Sequence, residues 1–341
     1  MSYSLQDRIL GSLVAAGMGD AMGAPTETYS RREIIAHFGG YVEKFEDPKD
    51  NPLVVGNITA EVTDDASQMF ELAKAVAETG GHLTVEATAR AIVRWSESYP
   101  KYYPRNAGPT TSRVIDDLRA GKDPVVLGQT GGFYGRGTSN GAAMRVAACG
   151  LCNPGDLDGA VNTAITSCVP THGTQHAYSG AAAISAAIAE ALTEQATVET
   201  VVEAAIYGCL KGELIGEKEA RPAYGPYCLP LLHRALAAVD GAENMEEAII
   251  QLDRNIGCNV DIQPTVACAV ALFKAARGDW KKAILGGANL GGDTDTVACI
   301  AGMIAGAFCG FAEIDQQWYR TFKAANPALD LEAVAAALAA L

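Results

Sequence analysis

The chain has 341 residues, of which 49% are hydrophobic, 19% charged and 7% aromatic, with a formal net charge of −14 from 26 Lys+Arg against 40 Asp+Glu. An acidic chain without a basic block excludes nucleic acid and anionic membrane as partners, since both need a positive surface. With so few aromatics the core must be filled by small side chains, which favours closely packed helices.

The first apolar segment, "DRILGSLVAAGMG", reads as a retained helix, because Asp7 precedes it and the polar turn "GDAMGAPTE" follows without a signal-type cleavage site. Gly11, Ala15, Gly19 and Gly23 recur at every fourth position, a stripe that lets another backbone approach closely. The stretches "GYVEKFE" and "NPLVVGNITAEV" are the candidates for short extended pieces. Helical spacing then takes over in "DASQMFELAKAVAETGG", "TVEATARAIVRWSES", "PTTSRVIDDLRAG", "SGAAAISAAIAEALTE", "TVETVVEAAIYGCLKGEL", "LPLLHRALAAVDG" and "TVACAVALFKAARGD".

The apolar run after Asp295 approaches the roughly 20 residues that span a bilayer, but its glycines and the acids at its mouth make it a core helix. Ala298, Gly302, Gly306 and Gly310 repeat the small-residue stripe there. No Pro-rich or Ser-rich linker and no repeat divides the chain, so residues 1–341 are expected to form a single all-α domain with little or no β structure. The nine cysteines sit in apolar helical contexts and read as buried hydrophobes of a reduced, cytoplasmic protein. "CGLC", Cys149 to Cys152, has neither a second such pair nor histidines at ligand spacing, so zinc is not expected.

Several stretches could carry chemistry. Asp293 and Asp295, interleaved with Thr294 and Thr296, exceed what a helix start needs, since capping takes one acceptor. "EVTDDASQMF" offers a counterpart in Thr63, Asp64 and Asp65. Either cluster alone fits a helix entrance, where caps and the dipole favour Asp and Thr. Adjacent acids crowd like charges, however, and a cation resolves that cost. Mg²⁺ and Mn²⁺ prefer such oxygen ligands, and two clusters brought face to face would suit a two-metal site. Glu27, just past Pro25, becomes a candidate acid or base if its loop folds over the clusters.

"GQTGGFYGRGTSNGAAMRVAACG" could cradle phosphate or sugar oxygens with its backbone N–H groups, and Arg136 could receive a pyrophosphate. The stretch matches neither the P-loop nor the dinucleotide fingerprint, and an ordinary loop fits its glycines equally well. In "CVPTHGTQHAYSGAAA", His172 and His176 stand four apart on an expected helical face. No glutamate completes an HExxH pattern, so a histidine that orients substrate or satisfies a buried network is the expected role.

In this order, "GDAMGAPTE", "TDDASQM", "SNGAAMR", Thr171–His172 and "GGDTDTVA" resemble the ADP-ribosylglycohydrolase family, from about Asp7 to Phe311. The resemblance implies a compact orthogonal multi-helix bundle that binds two Mg²⁺ or Mn²⁺ ions. The implied reaction is hydrolysis of the glycosidic bond at the anomeric carbon of an ADP-ribosyl-type ribose, on a modified protein or a small molecule. Thr63, Asp64, Asp65, Asp293, Asp295 and Thr296 would be the metal ligands, and Glu27, Asp65 and Asp295 the catalytic groups. Ser139, Asn140 and Gly141 would cradle the substrate, with His172 close to it. The alternatives are a hydrolase of another N- or O-glycoside, such as a nucleoside, and a catalytically silent binding or structural member. Many members carry Thr-Asp-Asp-Thr where this chain ends in Ala66, which removes one hydroxyl expected at the site edge. "RNAGPTTSR" resembles a loop-to-helix region to which no roles are assigned.

Overall fold

The computed structural model describes residues 4–48, 50–130 and 137–341. Among them are seventeen α-helices and no strand, only two isolated bridges. The periodic segments fold as expected, as Asp64–Glu78, Val85–Ser98, Pro109–Arg119, Gln175–Ala191, Val198–Glu219, Cys228–Val239 and Ile262–Ala275. Thr84, Thr174 and Thr197 cap three of them by accepting an amide three residues on, each worth about 1 kcal/mol.

The two candidate extended pieces are not strands, and local hydrogen bonding says why. Asn289 accepts the Val42 amide at 2.8 Å and donates to the Val42 carbonyl at 2.9 Å, standing in for a strand partner. In the second piece the Asn51 side chain accepts the Leu53 amide, and Gly56 turns the chain at φ +82. Pro52–Val54 closes a single 3₁₀ turn there.

At the centre, the N-terminal helix Leu5–Gly23 packs along Thr294–Cys309, and the two glycine stripes face each other. A Cβ on Gly19 would stand 2.2 Å from the Ala298 oxygen, one on Gly302 2.3 Å from that of Ala15, and one on Gly306 2.1 Å from that of Gly11. The backbones are therefore in direct contact, which any larger residue would prevent. Ser12 donates to the Met303 carbonyl at 2.8 Å across this seam. At the far end Arg8 donates to Ala191 and Phe308 oxygens, at 2.9 and 2.7 Å. It thereby places a cation where two helices end in unpaired carbonyls.

All nine cysteines are free. Burial pushes the Cys149 thiol well up and that of Cys152 to about 11, so the CGLC pair stays protonated. Among the described residues no helix is long and apolar enough to cross a membrane.

Candidate active site

Two helix starts carry the acids. At the first, Thr63 precedes Asp64–Glu78, and fully buried Asp20 organises the turn. Its carboxylate accepts the Thr63 amide at 3.0 Å, the Thr63 hydroxyl at 2.8 Å and the Ala66 amide at 2.9 Å. Asp20 thus supplies from another helix the cap that Thr63, its own hydroxyl so engaged, does not. Asp64 and Asp65 occupy the first turn, where the dipole favours anions. Ala66, at the fourth position of this cluster, is fully buried and packs in the hydrophobic core.

At the second start the backbone does this work. Gly291 and Gly292 take φ +91 and +80, a region open to glycine, and turn the chain into Thr294–Cys309. Gly292 exchanges bonds with the Glu27 loop: its oxygen accepts the Thr28 amide at 2.7 Å and its amide donates to Tyr29 at 2.9 Å. Asn51 donates to the Glu27 carbonyl at 3.0 Å from the other side. Gly23 brings the N-terminal helix so close that a Cβ there would lie 2.4 Å from the Asp295 Cα. Glu27, Asp293 and Asp295 are thus brought together, with one carboxylate oxygen of each within 4.8 Å of the others.

Both starts open on one cavity of about 320 Å³, walled by Glu27, Asp64, Asp65, Asp293, Asp295 and Thr296. Burial pulls the carboxyls of Asp65, Asp295 and Glu27 well above their usual range, and neighbouring acids add to it. Burial, with Asp20 and Asp293 nearby, raises Asp64 to about 8. No Lys or Arg pairs with any of these acids among the described residues. Asp65 Oδ2 is buried without a partner. A divalent cation fits this donor set: all ligands are oxygens, the charge is uncompensated, and a buried acceptor is left open. A larger groove of about 530 Å³ runs past Arg90, Arg94 and Glu97. There Arg94 is already paired with Glu71 and Glu78, so volume does not select the site.

Ser139, Asn140 and Gly141 form the opposite wall. Asn140 donates to Asp293 Oδ2 at 2.7 Å, joining that wall to the acids. The Asn140 amide bonds Val260 and the Ile262 amide bonds Thr138, at 2.9 and 3.0 Å, which pins the loop to the helix Ile262–Ala275. The unassigned "RNAGPTTSR" supplies Asn106, Thr110 and Thr111 to the rim. Arg136 and the glycine loop at 131–136 lie outside the described residues.

Thr63 and His172 are both fully buried and do not line the cavity. His172 Nε2 lies 2.9 Å from Ser139 Oγ. His172 and His176 do not share a helical face, because the helix begins at Gln175 after the Thr174 cap. His176 bonds the Ala223 carbonyl instead. Sequence reasoning missed Asp20 as the first cluster's organiser, Asn51 as the tether of the Glu27 loop, and a buried arginine, Arg145, behind the cavity.

A profile of the ADP-ribosylglycohydrolase family matches residues 1–341. The chain belongs to that family. Its relatives include YegU of Escherichia coli (strain K12), 32% identical over 98% of this chain and 96% of its own length. The ADP-ribosylhydrolase ARH3 of Mus musculus is 25% identical over 92% of this chain and 87% of its own. A solved structure described as an ADP-ribosylglycohydrolase-related protein complex superposes with a TM-score of 0.69 at 24% identity, covering 99% and 98% of the two chains. Family membership makes the chain a glycosidic hydrolase, and the all-α architecture is that of an ADP-ribosylglycohydrolase.

Proposed function

We propose that the chain hydrolyses the glycosidic bond at the anomeric carbon of an ADP-ribosyl or related ribosyl substrate, carried by a protein or a small molecule. Two divalent cations, Mg²⁺ or Mn²⁺, would be held between the helix starts by Thr63, Asp64, Asp65, Asp293, Asp295 and Thr296. The observation that carries this reading is the open, buried Asp65 Oδ2 within a cluster of acids that no Lys or Arg among the described residues neutralises. Thr63 suits its place, since its hydroxyl proton goes to Asp20 at 2.8 Å while the same oxygen lies 3.5 Å from Asp295. Its lone pairs are left for a cation. When bound, the cations neutralise the crowded carboxylates and supply Lewis acidity to the sugar oxygens.

The protein's own groups move the protons. Glu27, whose carboxyl burial holds well above its usual range, gives its proton to the leaving atom as the glycosidic bond breaks. Asp65 or Asp295 takes one from the water that adds to the anomeric carbon. Ser139, Asn140 and Gly141 orient the sugar, and His172 acts from behind Ser139. The modest cavity, about 320 Å³, lies near the lower limit for small-ligand sites, which favours a second reading: a smaller glycoside such as a nucleoside.

A hydrolysis panel separates the readings: ADP-ribosyl-arginine, ADP-ribosyl-serine, ADP-ribose esters and nucleosides, each with Mg²⁺, Mn²⁺ or EDTA. Release of ADP-ribose with either metal and none in EDTA is expected. Metal-independent release, or turnover of nucleosides alone, would overturn the leading reading.

A further inference from the structure

Behind the cavity a chain of hydrogen bonds has a direction, and one residue sets it. Arg145 is 1% exposed and forms no side-chain ion pair among the described residues. A guanidinium only donates. Its Nη2 bonds Thr171 Oγ1 at 2.6 Å and its Nη1 bonds Gln68 Oε1 at 3.1 Å. The Thr171 oxygen must therefore accept, and its own proton needs an acceptor elsewhere.

His172 Nδ1, 2.7 Å away, is the acceptor within reach. The reverse arrangement, with the proton on Nδ1, would strand the Thr171 hydroxyl proton at a position that is 0% exposed, and an unpaired buried donor is costly. Burial and the nearby Arg145 charge also keep the imidazole neutral, so it carries one proton. That proton is on Nε2, which points at Ser139 Oγ at 2.9 Å. Ser139 accepts from behind, and its hydroxyl proton is free to enter the cavity it lines. Gly141 keeps the path open, because a Cβ there would sit 3.1 Å from the His172 ring.

We propose that Arg145, acting through Thr171 and His172, is a positioning residue that makes Ser139 a hydrogen-bond donor toward the cavity. This corner then offers its proton to an acceptor oxygen of the substrate. The same guanidinium orients Gln68, whose oxygen must face Arg145 and whose amide nitrogen therefore faces Asp64 Oδ2 at 3.0 Å. One buried cation thus sets the polarity of both walls, with Asp64 as acceptor and Ser139 as donor.

The test of the relay needs no ligand. In ¹⁵N-histidine-labelled full-length protein, long-range ¹H–¹⁵N spectra report which ring nitrogen of His172 is protonated, with the signal assigned by His172→Gln. The expected result is an Nε2 proton in wild type and in Thr171→Ser, with that preference lost in Thr171→Val. An Nδ1 proton in wild type, or an unchanged preference in Thr171→Val, overturns the relay. If Thr171→Val does not fold, the wild-type and Thr171→Ser tautomers decide alone.

A second arm uses ADP-ribose as the calorimetric probe, and this choice rests on the proposed function. Ser139→Ala and Thr171→Val should each weaken binding about tenfold, the effect of one lost hydrogen bond, and Thr171→Ser should stay within about twofold of wild type. Equal affinities throughout would overturn the donor role. ADP-ribose that fails to bind wild type at all counts against the substrate class and leaves the tautomer result standing.

Discussion

The acids at the start of Asp64–Glu78 are held by side chains, with Asp20 gripping two amides and a hydroxyl, and Gln68 bonding Asp64. Those at the start of Thr294–Cys309 are held by backbone, through two left-handed glycines interlocked with Thr28 and Tyr29. The first arrangement can be weakened in steps by altering one polar group. The second has no intermediate setting, since a Cβ on Gly292 would stand 2.0 Å from the Cys258 oxygen. The proposed chemistry draws on both, but tolerance to change should differ sharply between them.

The largest expected effect comes from removing a charge at the glycine-built start. Asp295→Asn should cut turnover at least about a thousandfold, equivalent to several kcal/mol of lost cation stabilisation. Its thermal midpoint in EDTA should nonetheless rise, because like charges are relieved. A midpoint that falls in EDTA would show that the acids are not crowded.

Gly292→Ala should cost about 3 kcal/mol or more from overpacking and backbone strain, read by denaturant unfolding. Asp20→Asn should cost about 2 kcal/mol, because its amide group would face backbone donors. If the order reversed, the contrast between the two starts would be wrong.

A separate test of the side-chain-held start is pH dependence. Burial lifts Asp20 to about 6 and Asp64 to about 8, above the unfolded value near about 3.9. The folded, metal-free protein then binds more protons than the unfolded chain. Its stability should be highest below about pH 4 with respect to these groups and decline as pH rises through about 6 and 8. Saturating Mg²⁺ should flatten that slope, which unfolding curves at several pH values with and without EDTA would register.

The paired acids could be picked out from the sequence because they exceed what helix starts require, Glu27 because its loop could fold over them, and the glycine stripes because a four-residue period admits close packing. Asp20 and Arg145 left a fainter trace, each a lone charge inside an apolar run, "GMGDAMG" and "NGAAMRVAACG". Such a charge announces a buried partner without saying which. Their partners Thr63 and Gln68 lie 43 and 77 residues away, and only the fold names them. The His172–His176 spacing misled because the cap at Thr174 starts the helix between them. "GYVEKFE" misled because an asparagine side chain took the place of a neighbouring strand.

The glycine seam between Leu5–Gly23 and Thr294–Cys309 also constrains the order of assembly. The first of these helices leaves the ribosome long before the second, with a face that fits only that later partner. Until then Gly11, Gly19 and Gly23 have nothing to touch, and the Thr26 hydroxyl lacks Thr294, its partner 268 residues later. Contacts so distant in sequence form late and slowly. The acids of the two helix starts therefore meet only after Thr294 has been made, and a ribosome-bound nascent chain that stops short of it lacks half of the proposed site.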